Sequence, residues 1–250
     1  ITIPDSVTSI GDYAFKGCTS LTSIEIPDSV ISIGDHAFID CTSLTSITIP
    51  DSVESIGDEA FYNCQNITDV YCYAEPDKLT WNEGGCNDFI RSETGKPTIC
   101  HVPAEYLGKY NEKFGSSVNV TFCTSGKCGE NATWTLYMEP GKLTISGTGA
   151  MYDYSYNNLP WYNYKDNITS VEIEKGITSI GVYAFYNCTS LESIPIPDSV
   201  TSISDQTFQH CTSLTSVKMS KNVTSIGDYA FSGCTSLESI TIPEKVTSIG

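Results

Sequence analysis

The hydrophobic residues of this chain recur at a fixed interval of 23 residues. A first run places isoleucine at Ile3, Ile26 and Ile49, and a second run with the same spacing starts at Ile173. A phenylalanine and a cysteine recur in both runs, at Phe15, Phe38, Phe61, Phe185, Phe208 and Phe231, and at Cys18, Cys41, Cys64, Cys188, Cys211 and Cys234. A period of about 20 to 30 residues is typical of a solenoid, in which each turn buries its apolar side against its neighbours.

Each repeat contains two short apolar segments. Leu21, Ile24 and Ile26 have the spacing of a short strand with one buried face, and after a turn Val30 and Ile33 form a second inward-facing pair. Stacking such strands predicts a parallel sheet on one wall of the solenoid, with turns and short helical or second-strand segments on the other. The predicted fold class is therefore a β-rich α/β solenoid, right-handed, with 23-residue repeats in two arrays with capping modules.

The repeat stops between about Tyr73 and Asn167, which separates the two arrays. An open solenoid end exposes apolar core, so we expect caps in this interval. The predicted domains are a first array at 1–122, with a C-terminal cap at about 73–122; a linker at 123–127; and a second array at 128–250, with an N-terminal β-hairpin cap at about 128–167.

The two caps have different local patterns. The first predicts a strand at Thr98–Val102, a helix at Pro103–Phe114 with proline in its first turn, and a closing strand at Val118–Phe122. In the second, apolar residues alternate in 134–138 and again in 143–145, on either side of a Pro-Gly turn, which predicts a hairpin with one apolar face.

The repeat IPDSVTSIGDYAF, followed by GCTSLTSI, resembles the BspA-like class of bacterial leucine-rich repeats over about 1–72 and 168–250. Cys100–Tyr106, with its helix, resembles the usual C-terminal cap of that class, and Cys128–Trp134 together with Leu143–Met151 resembles an opening module common in Gram-positive gut bacteria. The resemblance implies a leucine-rich repeat protein that is secreted or attached to the cell surface and is associated with adhesion. It implies no particular binding residue.

The net charge of −17 argues against a nucleic-acid partner, because no basic footprint for phosphates is present. The sequence has no run of about 20 apolar residues and no signal peptide, so we expect no membrane insertion of this segment. It begins at Ile1 inside a repeat, which suggests a piece of a longer protein. The expected location is extracellular, either on the cell surface or secreted.

Ten of the 11 cysteines, all except Cys72, fall into two groups. The six in the repeats are expected to point inward as a column of buried thiols, because equivalent side chains of stacked turns lie parallel. Outside the repeats, Cys86, Cys100, Cys123 and Cys128 are better candidates for disulfides. None of them forms a CxxC pair, which disfavours a zinc site.

The outward positions of the strand wall are mostly Ser and Thr, which favours a solvated face chosen for strand propensity. Asp69, Tyr71 and Lys218 depart from this pattern, and Asp69 and Tyr71 are candidate ligand-binding residues. A short array offers only a few hundred Å² on this face, less than the roughly 800 Å² per partner of a standard stable interface.

An aromatic stretch at Met151–Asn167, within the second cap, is the most distinctive non-repeat segment. Its candidate ligand-binding residues are Tyr152, Asp153, Tyr154, Tyr156, Trp161 and Tyr162. Exposed aromatic rings beside polar groups are able to stack on and hydrogen-bond a sugar or a peptide. In the alternative interpretation, Trp161 and some of the tyrosines plug the first turn of the second array.

Catalytic chemistry and metal binding are disfavoured. Cys211 follows His210 directly, but the cysteine position points inward. Asp12, Asp35, Asp58 and Asp228 recur at one turn and are most simply turn formers rather than calcium ligands. We therefore predict no catalytic residue, no metal site and no cofactor.

The predicted function is non-catalytic adhesion or protein recognition, with host or microbial surface proteins or glycans as partners. One alternative is a structural spacer within a larger surface protein, which the bland Ser/Thr columns favour. The other is carbohydrate binding through the aromatic stretch 152–164.

Overall fold

A computed structural model describes residues 1–81, 98–114 and 120–250 of the chain. It divides them into two compact units, Ile1–Thr124 (unit 1) and Ser125–Gly250 (unit 2). Within each unit the chain forms a β-solenoid in which paired strands lie one 23-residue repeat apart, as in the register Ser9 to Ser32. The predicted solenoid is confirmed. No helix in the described parts of the chain is long and apolar enough to cross a bilayer.

Unit 1 is built from short parallel strands. They are β1 (Ser9–Ile10), β2 (Ser32–Ile33), β3 (Ser46–Ile49), β4 (Ser55–Ile56), β5 (Asp69–Cys72), β6 (Thr80–Trp81), β7 (Thr98–His101) and β8 (Val120–Lys127), which runs three residues past the unit boundary. One sheet has the order β1-β2-β4-β6, and the strand wall has the order β3-β5-β7-β8. Isoleucine faces the core and Ser or Thr faces outward, because side chains alternate along a strand.

The end of unit 1 leaves the repeat pattern. The predicted strand at 98–102 is β7, and the predicted helix at 103–114 is a 3-10 turn at Ala104–Tyr106 followed by helix α1 (Leu107–Phe114). Tyr110 of α1 is fully buried, and its hydroxyl donates to the Ala74 carbonyl at 2.7 Å. The helix therefore closes the core.

Residues 123–127, predicted as a linker, lie in β8 instead. The strand continues through Cys123, which pairs opposite His101 in β7, and Thr124 is only 3% exposed. The small and polar residues gave no strand pattern, because only Cys123 of this stretch pairs with β7 and residues 125–127 are exposed. The predicted start of the closing strand at Val118 lies outside the described residues.

Unit 2 opens with the predicted hairpin, in which β9 (Gly129–Tyr137) pairs antiparallel with β10 (Lys142–Met151). A 3-10 turn at Tyr162–Asn167 follows, and then β11 (Ser170–Ile173), β12 (Ile177–Ile180), β13 (Ser193–Pro195), β14 (Ser202–Ile203), β15 (Ser216–Lys218), β16 (Ser225–Ile226) and β17 (Ser248–Ile249). The long strand β10 pairs in parallel with both β11 and β12. It therefore starts both walls, the strand wall β11-β13-β15 and the sheet β12-β14-β16-β17.

A third side of each repeat, here called the outer wall, is formed by turns such as Asp12–Gly17 and its equivalents. These turns stack through backbone hydrogen bonds; for example, the Phe15 N–H donates to the Ala37 carbonyl at 2.7 Å. The phenylalanine rings beneath them stack in columns, with centroids 5.0 Å apart between Phe15 and Phe38 and 5.4 Å apart between Phe185 and Phe208. The outer wall is therefore ordered although it contains no strands.

The repeat cysteines are thiols behind the phenylalanine columns. Cys41, Cys64, Cys188 and Cys211 are buried, whereas Cys18 and Cys234, in the first and last described repeats of their arrays, are half-buried. The Cys64 thiol donates to the Phe38 carbonyl at 3.1 Å, and Cys41, Cys211 and Cys234 make the same bond one repeat apart. Burial raises the pKa of Cys64 to about 12.

The disulfide prediction is wrong at two of its four positions. Cys123 and Cys128 are buried thiols, each with its pKa raised by burial to about 12. Cys123 lies in β8, and Cys128 lies in the bend that follows it. Cys86 lies outside the described residues.

The recurring aspartates bind the backbone of the next repeat. The Asp12 carboxylate accepts a hydrogen bond from the Asp35 N–H at 2.9 Å, and Asp35 accepts from the Asp58 N–H at 2.8 Å. A Cβ atom at Gly34, Gly57 or Gly227 would overlap the backbone of the aspartate one repeat earlier, which explains the glycine at these three positions. These carboxylates therefore hold the outer wall together rather than only forming turns.

Candidate functional site

One position of the outer wall places a large side chain on left-handed backbone in every repeat. We call it the display column, and it consists of Tyr13, His36, Glu59, Tyr183, Gln206 and Tyr229, with φ between 49° and 58°. Left-handed backbone costs an ordinary residue about 1–2 kcal/mol, and Gly or Asn normally takes such a position. Here the backbone is held by the next repeat, since the Gln206 N–H donates to the Asp228 carbonyl at 2.8 Å.

In unit 1 the display column is connected by side-chain contacts. The Tyr13 ring stacks on the His36 ring with centroids 4.8 Å apart, and His36 Nε2 lies 3.0 Å from a carboxylate oxygen of Glu59. The Lys16 ammonium lies over the Tyr13 ring, 5.2 Å from its centroid. Tyr13 is 50% exposed, so the column presents aromatic and charged groups to solvent.

In unit 2 the column contributes to a group of three tyrosines, Tyr156, Tyr183 and Tyr186, here called the tyrosine cluster. The Tyr156 ring lies 6.5 Å from Tyr183 and 6.4 Å from Tyr186, with interplanar angles of 65° and 68°. Tyr183 and Tyr186 lie 5.3 Å apart at 84°. Tyr156 is 55% exposed, and His210 borders the cluster 5.9 Å from Tyr186.

The cap positions Tyr156 by imitating the outer wall of a repeat. The Asp153 carboxylate accepts from the Val182 N–H at 2.8 Å, and the Tyr154 N–H donates to the Val182 carbonyl at 3.0 Å. Asp12 and Tyr13 make the same two bonds to Asp35 in unit 1. The cap segment is therefore docked on the first repeat, and Tyr156 follows two residues later.

Trp161 takes the place of a repeat phenylalanine in this cap. Its prediction as a ligand-binding residue is therefore wrong. It is 0% exposed, stacks on Phe185 with centroids 6.0 Å apart, and its indole N–H donates to the Ala184 carbonyl at 3.1 Å. Its edge contacts Trp134 and Tyr154. Trp161 is thus the first ring of the phenylalanine column, because the hairpin leaves that place open and the indole is large enough to fill it.

The other predicted residues of the aromatic stretch divide between core and surface. Tyr154 is half-buried, burial raises the pKa of its phenol, and its hydroxyl donates to the Cys128 carbonyl at 3.4 Å. Tyr162 is half-buried under the Lys165 ammonium, which lies 4.9 Å from the ring centroid. Asp153 is used in docking the cap. Among the predicted aromatic residues, Tyr152, at 47%, and Tyr156 are the exposed ones.

Sequence reasoning missed Tyr183 and Tyr186 because they occupy variable outer-wall positions within a regular repeat. A signal was available, since this is the only one of the six repeats with tyrosine at both positions. Their proximity to Tyr156 could not be predicted from the sequence, because it depends on how the cap docks on the first repeat of unit 2.

The other predicted site residues lie on the strand wall of unit 1. His101 Nε2 lies 2.9 Å from one Asp69 oxygen, and the Thr68 hydroxyl donates to the other at 2.7 Å. Burial opposes ionisation of Asp69, but these hydrogen bonds outweigh it and lower the pKa of the carboxyl. Tyr71 is 37% exposed and stacks on the His101 ring, 4.6 Å between centroids. Asp69 and Tyr71 therefore belong to one ordered cluster.

This cluster extends inward to a cysteine but lacks the features of a nucleophilic site. His101 Nδ1 lies 3.4 Å from the Cys123 sulfur, so Asp69, His101 and Cys123 form a row. Cys123 is 0% exposed, and burial together with the Asp69 charge raises its thiol pKa to about 12. A nucleophile needs an accessible thiolate. The two His101 nitrogens point to different partners, and the described residues include no group of three or more ligands placed to hold a metal.

Comparison with known proteins identifies the repeats. The profile of the BspA type leucine rich repeat region matches six copies, over residues 1–81 and 160–250. No curated protein matches the chain at a significant level.

Several solved bacterial structures are similar to parts of the chain. A leucine-rich repeat protein from Eubacterium ventriosum is 32% identical, with a TM-score of 0.45, over 51% of this chain and 40% of that one. A leucine-rich repeat protein from Bacteroides ovatus is 24% identical, with a TM-score of 0.35, over 100% and 65%. A leucine rich cell surface protein from Faecalibacterium prausnitzii is 21% identical, with a TM-score of 0.28, over 99% and 77%. The chain spans less than two thirds of the first two proteins.

Proposed function

Because the chain belongs to the BspA-type leucine-rich repeat family, we propose that it is a non-catalytic recognition segment of a bacterial protein that is secreted or attached to the cell surface, where it acts in adhesion. Its partners would be host or microbial surface proteins or glycans. The contact surface in this proposal is the outer wall of unit 2, centred on the tyrosine cluster.

The observation that carries the proposal is the ordered group of aromatic rings at Tyr156, Tyr183 and Tyr186, in which Tyr156 is exposed and the other two rings are half-buried. Tyrosine is enriched at interfaces because its rigid ring covers a large area at a small entropic cost. The display column adds a second argument, because residues kept in costly backbone conformations concentrate at functional sites. The Ser and Thr columns of the strand wall have neither property.

The size of the surface predicts weak binding by a single copy. Three tyrosines and their neighbours cover a few hundred Å², below the roughly 800 Å² per partner of a standard stable interface. Several weak sites on one cell surface would supply the missing strength through avidity.

Carbohydrate binding is the second candidate, and the exposure of Tyr152 and Tyr156 favours it. Exposed ring faces stack on the apolar faces of sugars as they do on other flat groups. The buried position of Trp161 removes the largest ring from this site.

The test is binding of the purified chain to arrays of bacterial and host surface proteins and of glycans. The informative variant is Tyr156→Ala/Tyr186→Ala, because neither residue has the positive φ of the display column. The matched control is Tyr73→Ala, which removes a tyrosine that is 48% exposed in unit 1, outside the display column.

We expect binding that the double variant loses and the control retains, with unchanged circular dichroism in both. Binding that survives in the double variant would contradict the proposal, as would equal losses in the two variants. If the wild-type chain binds nothing on either array, the result would favour a role as a structural spacer.

A further inference from the structure

The rings of the tyrosine cluster are steeply inclined to one another, so no two of them are stacked face to face. Their interplanar angles are 65°, 68° and 84°, and their centroids lie 5.3–6.5 Å apart. At these centroid distances a point about 4 to 4.5 Å from all three centroids exists, within the roughly 6 Å at which a cation is attracted to a ring face.

The same place in unit 1 already holds a cation. Tyr13 occupies the repeat position of Tyr183, and Lys16 occupies that of Tyr186. The Lys16 ammonium lies over the Tyr13 ring, 5.2 Å from its centroid. In unit 2 the lysine is replaced by Tyr186, which removes the internal cation and adds a ring face. Among the described residues, no lysine or arginine lies over the three rings of the cluster.

Two aspartates contact the backbone at Tyr183 or at the residue before it. Asp153 bonds to the Val182 N–H, directly before Tyr183, and the carbonyl of Asp205 accepts the Tyr183 N–H at 3.2 Å. Both aspartates are exposed, and the chain as a whole carries a net charge of −17. A surface of this sign raises the local concentration of positively charged groups.

We propose that the tyrosine cluster receives a cationic side chain, the ammonium of a lysine or the guanidinium of an arginine, from a basic segment of a partner protein. This inference rests on the proposed recognition function and narrows its partner to a basic protein surface. The face of the rings supplies the attraction, and the nearby carboxylates supply the long-range charge. The phenol hydroxyls are not needed for it.

The probes are N-acetyl-arginine amide and its neutral isostere N-acetyl-citrulline amide, titrated against the chain with isotope-labelled tyrosine rings and followed by NMR. Wild-type chain should give saturable shifts of the Tyr156, Tyr183 and Tyr186 ring protons with the arginine probe. Citrulline should give shifts at least threefold weaker at equal concentration. The Tyr229 ring, outside the cluster, is the internal control.

Variants separate the ring face from the hydroxyl group. Tyr156→Phe should keep the affinity for the arginine probe, whereas Tyr156→Leu should lower it about two- to fivefold, the contribution of one exposed ring. In unit 1, Lys16→Ala should free the Tyr13 ring, which should then shift with the arginine probe although it does not in the wild-type chain.

Equal shifts with the arginine and citrulline probes would overturn the inference. A Tyr156→Phe variant that binds as weakly as Tyr156→Leu would also overturn it, because that result would indicate hydrogen bonding of the phenol to a glycan or another polar ligand. The proposed function fails separately. Array binding that depends on Tyr156 and Tyr186 without any cation preference would leave the function standing and remove this inference. A preference for the arginine probe, without array binding that depends on the cluster, would support this inference and contradict the proposed function.

Discussion

Replacing Trp161 by alanine should destabilise unit 2 rather than remove a binding residue. The indole is 0% exposed, contacts Phe185, Trp134 and Tyr154, and donates to the Ala184 carbonyl. Truncating a buried tryptophan to alanine costs about 3–5 kcal/mol through lost transfer energy and the cavity left behind. We expect about 4 kcal/mol for Trp161→Ala.

A second substitution isolates the hydrogen bond from the packing. Trp161→Phe keeps a ring against Phe185 but leaves the buried Ala184 carbonyl without its donor, which costs about 1–3 kcal/mol. The stability order is therefore wild type, then Trp161→Phe, then Trp161→Ala. Tyr152→Ala is the matched control, because that ring is 47% exposed and surface changes usually stay within about 0.5 kcal/mol.

The measurement combines urea unfolding, followed by far-UV circular dichroism, with amide hydrogen exchange. Exchange resolves the site, because the Phe185 and Val182 amides are bonded within the outer wall. A loss of about 4 kcal/mol corresponds to roughly a thousandfold faster exchange where these amides exchange by global opening of unit 2. A Trp161→Ala chain with wild-type exchange, and with lost array binding, would refute the placement of this residue in the core.

Four further predictions concern the outer wall, the thiols and the strand-wall cluster. Asp205→Ala removes the acceptor of the Asp228 N–H and should lower the free energy of unfolding by about 1 kcal/mol in urea titrations, while Asp205→Asn, which keeps an acceptor, should lose less. Tyr229→Asn replaces a bulky residue at positive φ with one that tolerates it and should raise the same free energy by about 0.5–1 kcal/mol; a clear loss would contradict the strain argument. The Cys188 thiol, whose pKa burial raises to about 12, should resist Ellman's reagent in the native chain at neutral pH, and rapid labelling would contradict its burial. Asp69 has a lowered pKa in the folded chain, so its contribution to stability is present above its unfolded pKa of about 4 and is lost as pH falls through the folded value; Asp69→Asn should therefore flatten the acid side of the stability profile, and an unchanged profile would refute the role of the carboxyl.

The repeat units were readable because each one meets nearly the same neighbours. A residue such as Ile33 pairs opposite Ile56, its equivalent one repeat later, so the environment of one repeat predicts that of the next. The inward isoleucines, the phenylalanine column and the buried thiols follow from that regularity. The helix at 107–114 was readable for another reason, since Leu107 and Tyr110 have helical spacing on one face.

Patterns were less informative where one segment folds against an unrelated one. Residues 123–127 read as a linker, yet they extend a strand because β7 provides a partner for Cys123. The contacts of Asp69 with His101 join residues 32 positions apart that share no repeat register. No local pattern contains such a pairing.

The sequence by itself determined the family, the 23-residue solenoid and the inward side of each repeat, because stacking identical units leaves one way to bury their apolar residues. Tertiary structure alone decided which aromatic residues are core and which are surface. Trp161 and Tyr156 lie five residues apart in one aromatic stretch, yet the first fills the open end of the phenylalanine column and the second joins two tyrosines of the first repeat. The physical reason is that an aromatic ring suits both a core and an interface, so only the docking of the cap, through Asp153 and Val182, assigns each ring its place.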